Sequence, residues 1–309
     1  MSRKSQHSKK CHIVILWIMR ALVLWLIAAV IFGVYAWIFA WRKLEAYTPS
    51  KSFNPEILDH VLDGKAYGER MDDHARPYLV ELDFDDQGSV LVFGAEHTKN
   101  PKDPQLADIK SQWVSFNPSV ALCESRLGTF FPGLMDPVKT FAEPGYVHHL
   151  ARRKGIPTYT WEPPVSVQMN FLLQDFTQEQ VALRYILGPY FSNLRFGRPE
   201  QPDQYLSEIL RKRSNWPGIE NTFQDIKELQ ASWSRHFPDG PDWRDVSDQY
   251  GLPGFMSKMD TNLIRDLHLV ETILDLVERG ERVFVIAGSS HAVKIEPALV
   301  IAAAEKGGD

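Results

Sequence analysis

Cysteine is scarce in this chain. Two residues in 309, Cys11 and Cys123, cannot build a disulfide framework, and Cys123 lies in the apolar run SVALCE, where a small buried hydrophobe belongs. Excess positive charge is missing as well. With 34 Lys and Arg against 39 Asp and Glu, the net charge is −5 and no basic stripe crosses the body of the chain. That argues against nucleic acid as a partner. There is no tandem repeat and no low-complexity tract between the ends, which excludes solenoids and arrays. The nucleophile-elbow pattern G-x-S-x-G is also absent: in GSSH, Ala292 stands where its second glycine would be, so neither Ser289 nor Ser290 reads as a nucleophile.

One further absence is informative. From Ala21 to Trp41 no residue is charged. About 21 residues at roughly 1.5 Å each cross a hydrocarbon layer of about 30 Å, so the run predicts a transmembrane helix. Trp17, Trp25, Tyr35, Trp37 and Trp41 supply interfacial aromatics. Arg3, Lys4, Lys9, Lys10 and Arg20 precede the run, and fewer basic residues (Arg42, Lys43, Lys51) follow it. This bias predicts a cytoplasmic N-terminus and a body outside the cytoplasm, periplasmic in a Gram-negative cell. A cleaved signal peptide ending near VYA (34–36) is the rival, and the apolar residues beyond it favour an uncleaved anchor. The expected plan is a basic tail at 1–20, an anchor at 21–41, a polar stalk with a short helix at 42–76, and a main domain at 77–303.

Within that domain, YLVELDF and SVLVFG flank the turn sequence DDQG and predict a hairpin over 78–94. Leu106, Ile109, Trp113 and Phe116 recur at helical spacing. SVALCES (119–125) and PTYTWE (157–162) read as strands, with a helix near PGYVHHLARRKG closed by Gly155 between them. A last amphipathic helix, TNLIRDLHLVETILDLVERG, feeds the strand RVFVIAG. Alternating apolar strands and helices predict an α/β fold with a largely parallel sheet, helices on both faces and an inserted helical cap at about 165–256.

Ligands in such folds sit beyond the carboxyl ends of the strands. The predicted strand ends supply His97, Glu124, Glu162 and His291, and each histidine follows a glycine by three residues, Gly94 and Gly288. Two imidazoles and two carboxylates suit a divalent transition metal with an open position. They suit metal-free general base chemistry equally well. Arg265 and Asp266, near the start of the last helix, can join them, Arg265 as an anion or oxyanion partner. Taken singly, each has an ordinary explanation, a turn histidine or a solvated strand-end glutamate; their joint placement carries the reading. His148, His149, His236 and His268 are expected at the surface, with His236 in a loop-rich segment able to reach over the cleft.

The blocks YLVELDFDDQGSVLVFGAEH, VALCES, KGIPTYTWEPPVSVQ and RDLHLVETILDLVERGERVFVIAGSSH resemble, in that order, those of the TraB/PrgY/GumN/TIKI group, which is distantly similar to erythromycin esterases and ChaN-type haem-binding lipoproteins. The likeness covers roughly residues 78–168 and 258–297. It implies an EreA/ChaN-like fold, with His97, Glu124, Glu162 and His291 as ligand or acid–base residues and Arg265 in support. Gln168, Asp266 and Glu96 are implied to contact substrate. By the TIKI members it implies a membrane-tethered metalloprotease using Mn or Co, with Zn equally suited to the donors. The esterase and haem-binding branches imply the alternatives of a metal-free hydrolase and of a haem or other small-molecule binder. Two departures are plain: the first motif is GAEH, and AVKIEP follows the second histidine.

Overall fold

A computed structural model describes residues 3–50, 54–85, 87–194, 197–246 and 252–306, with side chains from Leu16 onward. Five strands form one mixed sheet in the order β1-β2-β5-β3-β4: β1 (Tyr78–Asp83), β2 (Ser89–Ala95), β3 (Val120–Cys123), β4 (Thr158–Thr160) and β5 (Arg282–Gly288). β1 pairs antiparallel with β2, as the DDQG turn requires, and the other pairings are parallel.

Alternation along the buried strands assigns the two faces. Val283, Val285 and Ala287 pack with Leu269, Ile273, Val277, Ile295 and Leu299, contributed by α11 (Leu263–Glu278) and α12 (Ser289–Lys306). Phe284 and Ile286 pack on the opposite face with Leu106, Ile109, Trp113 and Val147, from α4 (Gln105–Phe116) and α5 (Pro137–Lys154). A sheet covered on both faces explains why its central strands are apolar throughout.

Between β4 and α11 lie α6 (Val165–Leu172), α7 (Gln178–Asn193), α8 (Pro202–Arg213), α9 (Ile226–His236) and α10 (Phe255–Lys258). They enclose a separate apolar cluster around Tyr190, Phe191, Trp233 and Trp243 that runs on to Met259, slightly past the expected boundary.

The N-terminal segment corrects two expectations. α1 (Arg3–Phe39) contains a 24-residue apolar stretch, Leu16–Phe39, long enough by length and composition to cross a membrane. It ends earlier than the charge-free run, because Trp41 belongs to the domain: it is buried, its ring stacks on Phe130 with centroids 4.0 Å apart, and its main-chain N–H donates to the Phe130 carbonyl at 2.8 Å. Nor is the following segment a free stalk. Ala46 bridges Thr160 alongside the β4 edge, the Tyr47 N–H donates to the Thr160 carbonyl at 3.1 Å, and Leu44 is buried. Ile57 of α2 (Pro55–Leu58), with Val61 beyond it, enters the main core, and α3 (Gly64–Gly68) follows. Polar composition suggested a spacer, but its few apolar residues are spaced to fill gaps at a sheet edge.

Candidate active site

β5 lies between β2 and β3, with Gly288 paired to Ala95 and Ile286 to Cys123, so the residues that leave β2 and β3 meet over the end of β5. His97 and Glu124 come from those exits, Glu162 from the exit of β4, and His291 from the first turn of α12 directly behind β5. The two motif glycines serve different purposes. A Cβ on Gly288 would stand 3.2 Å from His97 Nε2 and 3.7 Å from Glu124 Oε2, so its bareness gives the first histidine room. A Cβ on Gly94 would stand 2.8 Å from the Ala292 Cβ and 2.9 Å from the Ser289 Cα, so that glycine lets α12 cross the sheet.

Each histidine has a buried carboxylate behind Nδ1. His97 Nδ1 is 3.3 Å from Glu143 Oε2, and Glu143 is fully buried and also accepts the Thr98 N–H. Glu143 follows a break in α5 at Phe141 and Ala142, where Ala142 takes a φ of 56°. His291 Nδ1 is hydrogen-bonded to the fully buried Asp266, whose other oxygen is 3.4 Å from the Lys294 ammonium. A carboxylate only accepts, so Nδ1 carries the proton and the His291 Nε2 lone pair faces Arg265 Nη1 at 3.3 Å. The edge of Trp161 closes this side, with ring centroids 5.2 Å apart.

Arg265 ties the cluster together. Its Nε and Nη2 donate to both oxygens of Glu162 at 2.9 and 2.6 Å, Nη2 also reaches Glu124 Oε1 at 3.0 Å, and Nη1 donates to Asn262 at 2.8 Å. The guanidinium lies over the Trp161 ring at 5.1 Å. Burial penalises its charge, but Glu162 and Glu124 outweigh that and raise its pKa. Burial likewise works to raise the Glu124 carboxyl. His291, Arg265, His97 and the Gly288 N–H, which donates to Oε2 at 2.8 Å, together bring it down to about 2.

A cavity of about 420 Å³ opens between this rim and the helical region, lined by Arg126, Glu162, Gln168, Tyr185, Arg213 and Arg265 among others. Three guanidiniums against one carboxylate suit an anionic substrate group. Gln168 is held there, donating to the Pro163 carbonyl at 3.0 Å and accepting from Tyr185 Oη at 3.1 Å. Glu96 is exposed, and its main chain is clasped by the Gln105 side chain on both its N–H and its carbonyl.

Three of the four expected metal ligands thus converge on a guanidinium, while His97 faces Glu143. Both oxygens of Glu162, one of Glu124 and His291 Nε2 face Arg265, and the second Glu124 oxygen is taken by Gly288. Among the described residues no group of three or more His, Cys, Asp or Glu is disposed to hold an ion. An ion shared by His97, Glu124, Glu162 and His291 would have to displace Arg265, so as arranged these residues do not fit one.

Other histidines depart from expectation. His148 is buried edge-on against Trp41 at 4.6 Å, and burial, Arg152 and His149 lower its pKa to about 4. His268 is buried with Nδ1 2.9 Å from the Trp161 carbonyl. His236 packs on Phe255 at 5.1 Å and pairs with Glu179 at 3.7 Å inside the helical region, away from the cleft. Sequence reasoning missed Glu143 and Lys294, whose only signals were a glutamate just before Pro-Gly at a helix start and a lysine one turn after His291.

Comparisons with family models, with curated proteins and with solved structures found no match to this chain.

Proposed function

We propose that this protein is a membrane-anchored hydrolase whose site works by general base chemistry on an ester or amide carbonyl of a small molecule or peptide. The observation that carries the reading is the His97–Glu143 pair at 3.3 Å, its imidazole 57% exposed on a strand-end rim and its carboxylate fully enclosed. A buried carboxylate on Nδ1 fixes the ring orientation and favours the imidazolium that forms when Nε2 takes a proton. Water that gives its proton to His97 Nε2 attacks the carbonyl carbon, the tetrahedral adduct collapses with cleavage of the ester or amide bond, and the imidazolium returns the proton to the departing alkoxide or amine. The N–H groups of Arg265 are already committed to Glu162, Glu124, Asn262 and His291, so that guanidinium orders the rim. Glu162 and Glu124 hold that guanidinium in place. The helical region covers the cleft as a cap, and its Arg213, with Arg126 of the rim, receives an anionic group of the substrate. The motif order that resembles the TraB/PrgY/GumN/TIKI group, with its esterase relatives, supports a hydrolytic reading.

The test is hydrolysis of a panel of chromogenic esters and a peptide-amide library by the full-length protein in detergent, before and after chelation. General base assistance contributes about 10²–10⁴-fold, so His97→Ala should lose that much in kcat/KM, with Glu143→Gln losing part of it. Unchanged turnover in His97→Ala would sink the proposal. A divalent metal requirement that survives careful chelation controls would return the glutamates to the role of ligands. A His97-dependent Soret shift on haem titration, with no hydrolysis, would replace the enzyme with a binding protein.

A further inference from the structure

Leu127–Met135, reading LGTFFPGLM, carries no charge and sits between Arg126 and Asp136. It joins Glu124 of the site to α5, which carries Glu143. Leu134 is 69% exposed and Met135 is exposed too, an apolar tip that a water-facing loop would not be expected to keep. The loop does not lie on the domain alone. Phe131 meets Phe32 of α1 with ring centroids 5.6 Å apart, and Tyr35 Oη donates to the Pro132 carbonyl.

Three observations fix what covers this tip. First, its contacts on α1 lie well inside the apolar stretch: Phe32 is seven residues before the helix end at Phe39, which places it about 10 Å below that end. Second, part of the loop's main chain is paired internally. Leu134 and Met135 donate to the Phe131 carbonyl at 3.1 and 3.0 Å, the Phe131 N–H contacts Met135 Sδ at 3.4 Å, and the Phe130 carbonyl accepts from Trp41. Each such pair lowers the cost of bringing irregular backbone next to hydrocarbon, which leaves the groups without one at the headgroup level. Third, charge resumes at the right level. A polar cavity of about 430 Å³ beside the end of α1 is lined by Arg42, Lys43 and Arg152 against the carboxylate of Glu45, a cationic excess suited to lipid phosphates, whereas the crevice of about 540 Å³ between α1 and the loop is lined by Ala28, Ile31, Phe32, Pro132 and Leu134, with Tyr35 and Gly133.

We propose that Leu127–Met135 is a second membrane contact, a loop that inserts beside α1 into the outer leaflet and takes lipid acyl chains into the crevice between them. This rests on the reading of α1 as a transmembrane anchor. Held in this way, the site lies against the bilayer surface.

The experiment is spin-label accessibility on the full-length protein in phosphatidylcholine/phosphatidylglycerol vesicles. Leu134→Cys, Leu24→Cys and Ser234→Cys are each labelled in a Cys11→Ser background, since Cys123 is buried. Collision with oxygen against a water-soluble nickel complex reports depth. Labels at 24 and 134 both favouring oxygen, with 234 favouring nickel, is the result expected. A label at 24 in hydrocarbon with 134 as water-accessible as 234 overturns the loop insertion and leaves the anchor standing. A water-accessible label at 24 overturns the anchor and the insertion with it.

Discussion

His97 and His291 begin from the same local pattern, an apolar strand, a glycine, two residues and a histidine, and each backs its Nδ1 with a fully buried carboxylate. They finish in different surroundings. The His97 side chain is 57% exposed at the rim, whereas His291 is 7% exposed beneath Trp161, with Nε2 on Arg265. An imidazole that exchanges with water can shuttle protons to a substrate. One enclosed between Asp266, Lys294 and Arg265 serves to hold charges at fixed positions. On the proposed function, the contrast separates the group that turns over from the frame that aims it, although one motif produces both.

The largest expected effect lies on the enclosed side. His291→Ala leaves the Asp266 carboxylate buried without its hydrogen-bond donor, and orphaning a buried charged acceptor costs about 3 kcal/mol or more. His97→Ala takes one partner from the buried Glu143, which keeps the Thr98 N–H, and opens that side to water, so its loss should be smaller, about 1–2 kcal/mol. Urea unfolding of both variants measures the difference, and equal losses would erase the division of labour.

Acid stability probes the carboxylate between the two histidines. The Glu124 pKa of about 2 lies below the ordinary carboxylate value of 4.5, so its contribution is present above roughly pH 4.5 and is lost as pH falls towards 2, on the order of 3 kcal/mol for a shift of that size. Glu124→Gln should therefore be less stable than wild type near neutrality, with the gap narrowing through that window. A gap independent of pH would mean that hydrogen bonding, rather than charge, holds Glu124.

The smallest expected effects distinguish the glycines. Gly94→Ala meets the Ser289 Cα at 2.9 Å and the Ala292 Cβ at 2.8 Å, so the start of α12 must shift, an overpacking cost of about 1–3 kcal/mol. Gly288→Ala meets the His97 ring at 3.2 Å, which can swing outward; it should lower turnover with a thermal midpoint close to wild type. Loss of stability in both, with turnover per folded molecule retained, would contradict the assignment of His97 as the moving part.

Much of this was legible in the sequence because strand ends are local signals. Apolar runs stop where the sheet stops, and His97, Glu124, Glu162 and His291 do stand together there, with Arg265 added by the first turn of α11. What was not legible depends on distant contacts. Glu143 reaches His97 only because α5 breaks at Ala142, and Ala-Glu-Pro-Gly reads locally as an ordinary helix start. His148 is buried because Trp41, from the other end of the chain, covers it. Helical spacing places both His148 and His149 on α5 but cannot say what arrives against that face. The same arrival turned the expected stalk into a covering for the β4 edge.

The close joint at Trp41 has a mechanical consequence. α1 ends at Phe39, Trp41 is already stacked on Phe130, and Tyr35 grips the Pro132 carbonyl, which leaves no swivel between rod and body. A transmembrane helix tilts to match the thickness of its bilayer. With α1 as the proposed membrane anchor, that tilt would be passed on as a lever, turning the domain as a unit, so that lipid composition would set the angle at which the cleft meets the surface.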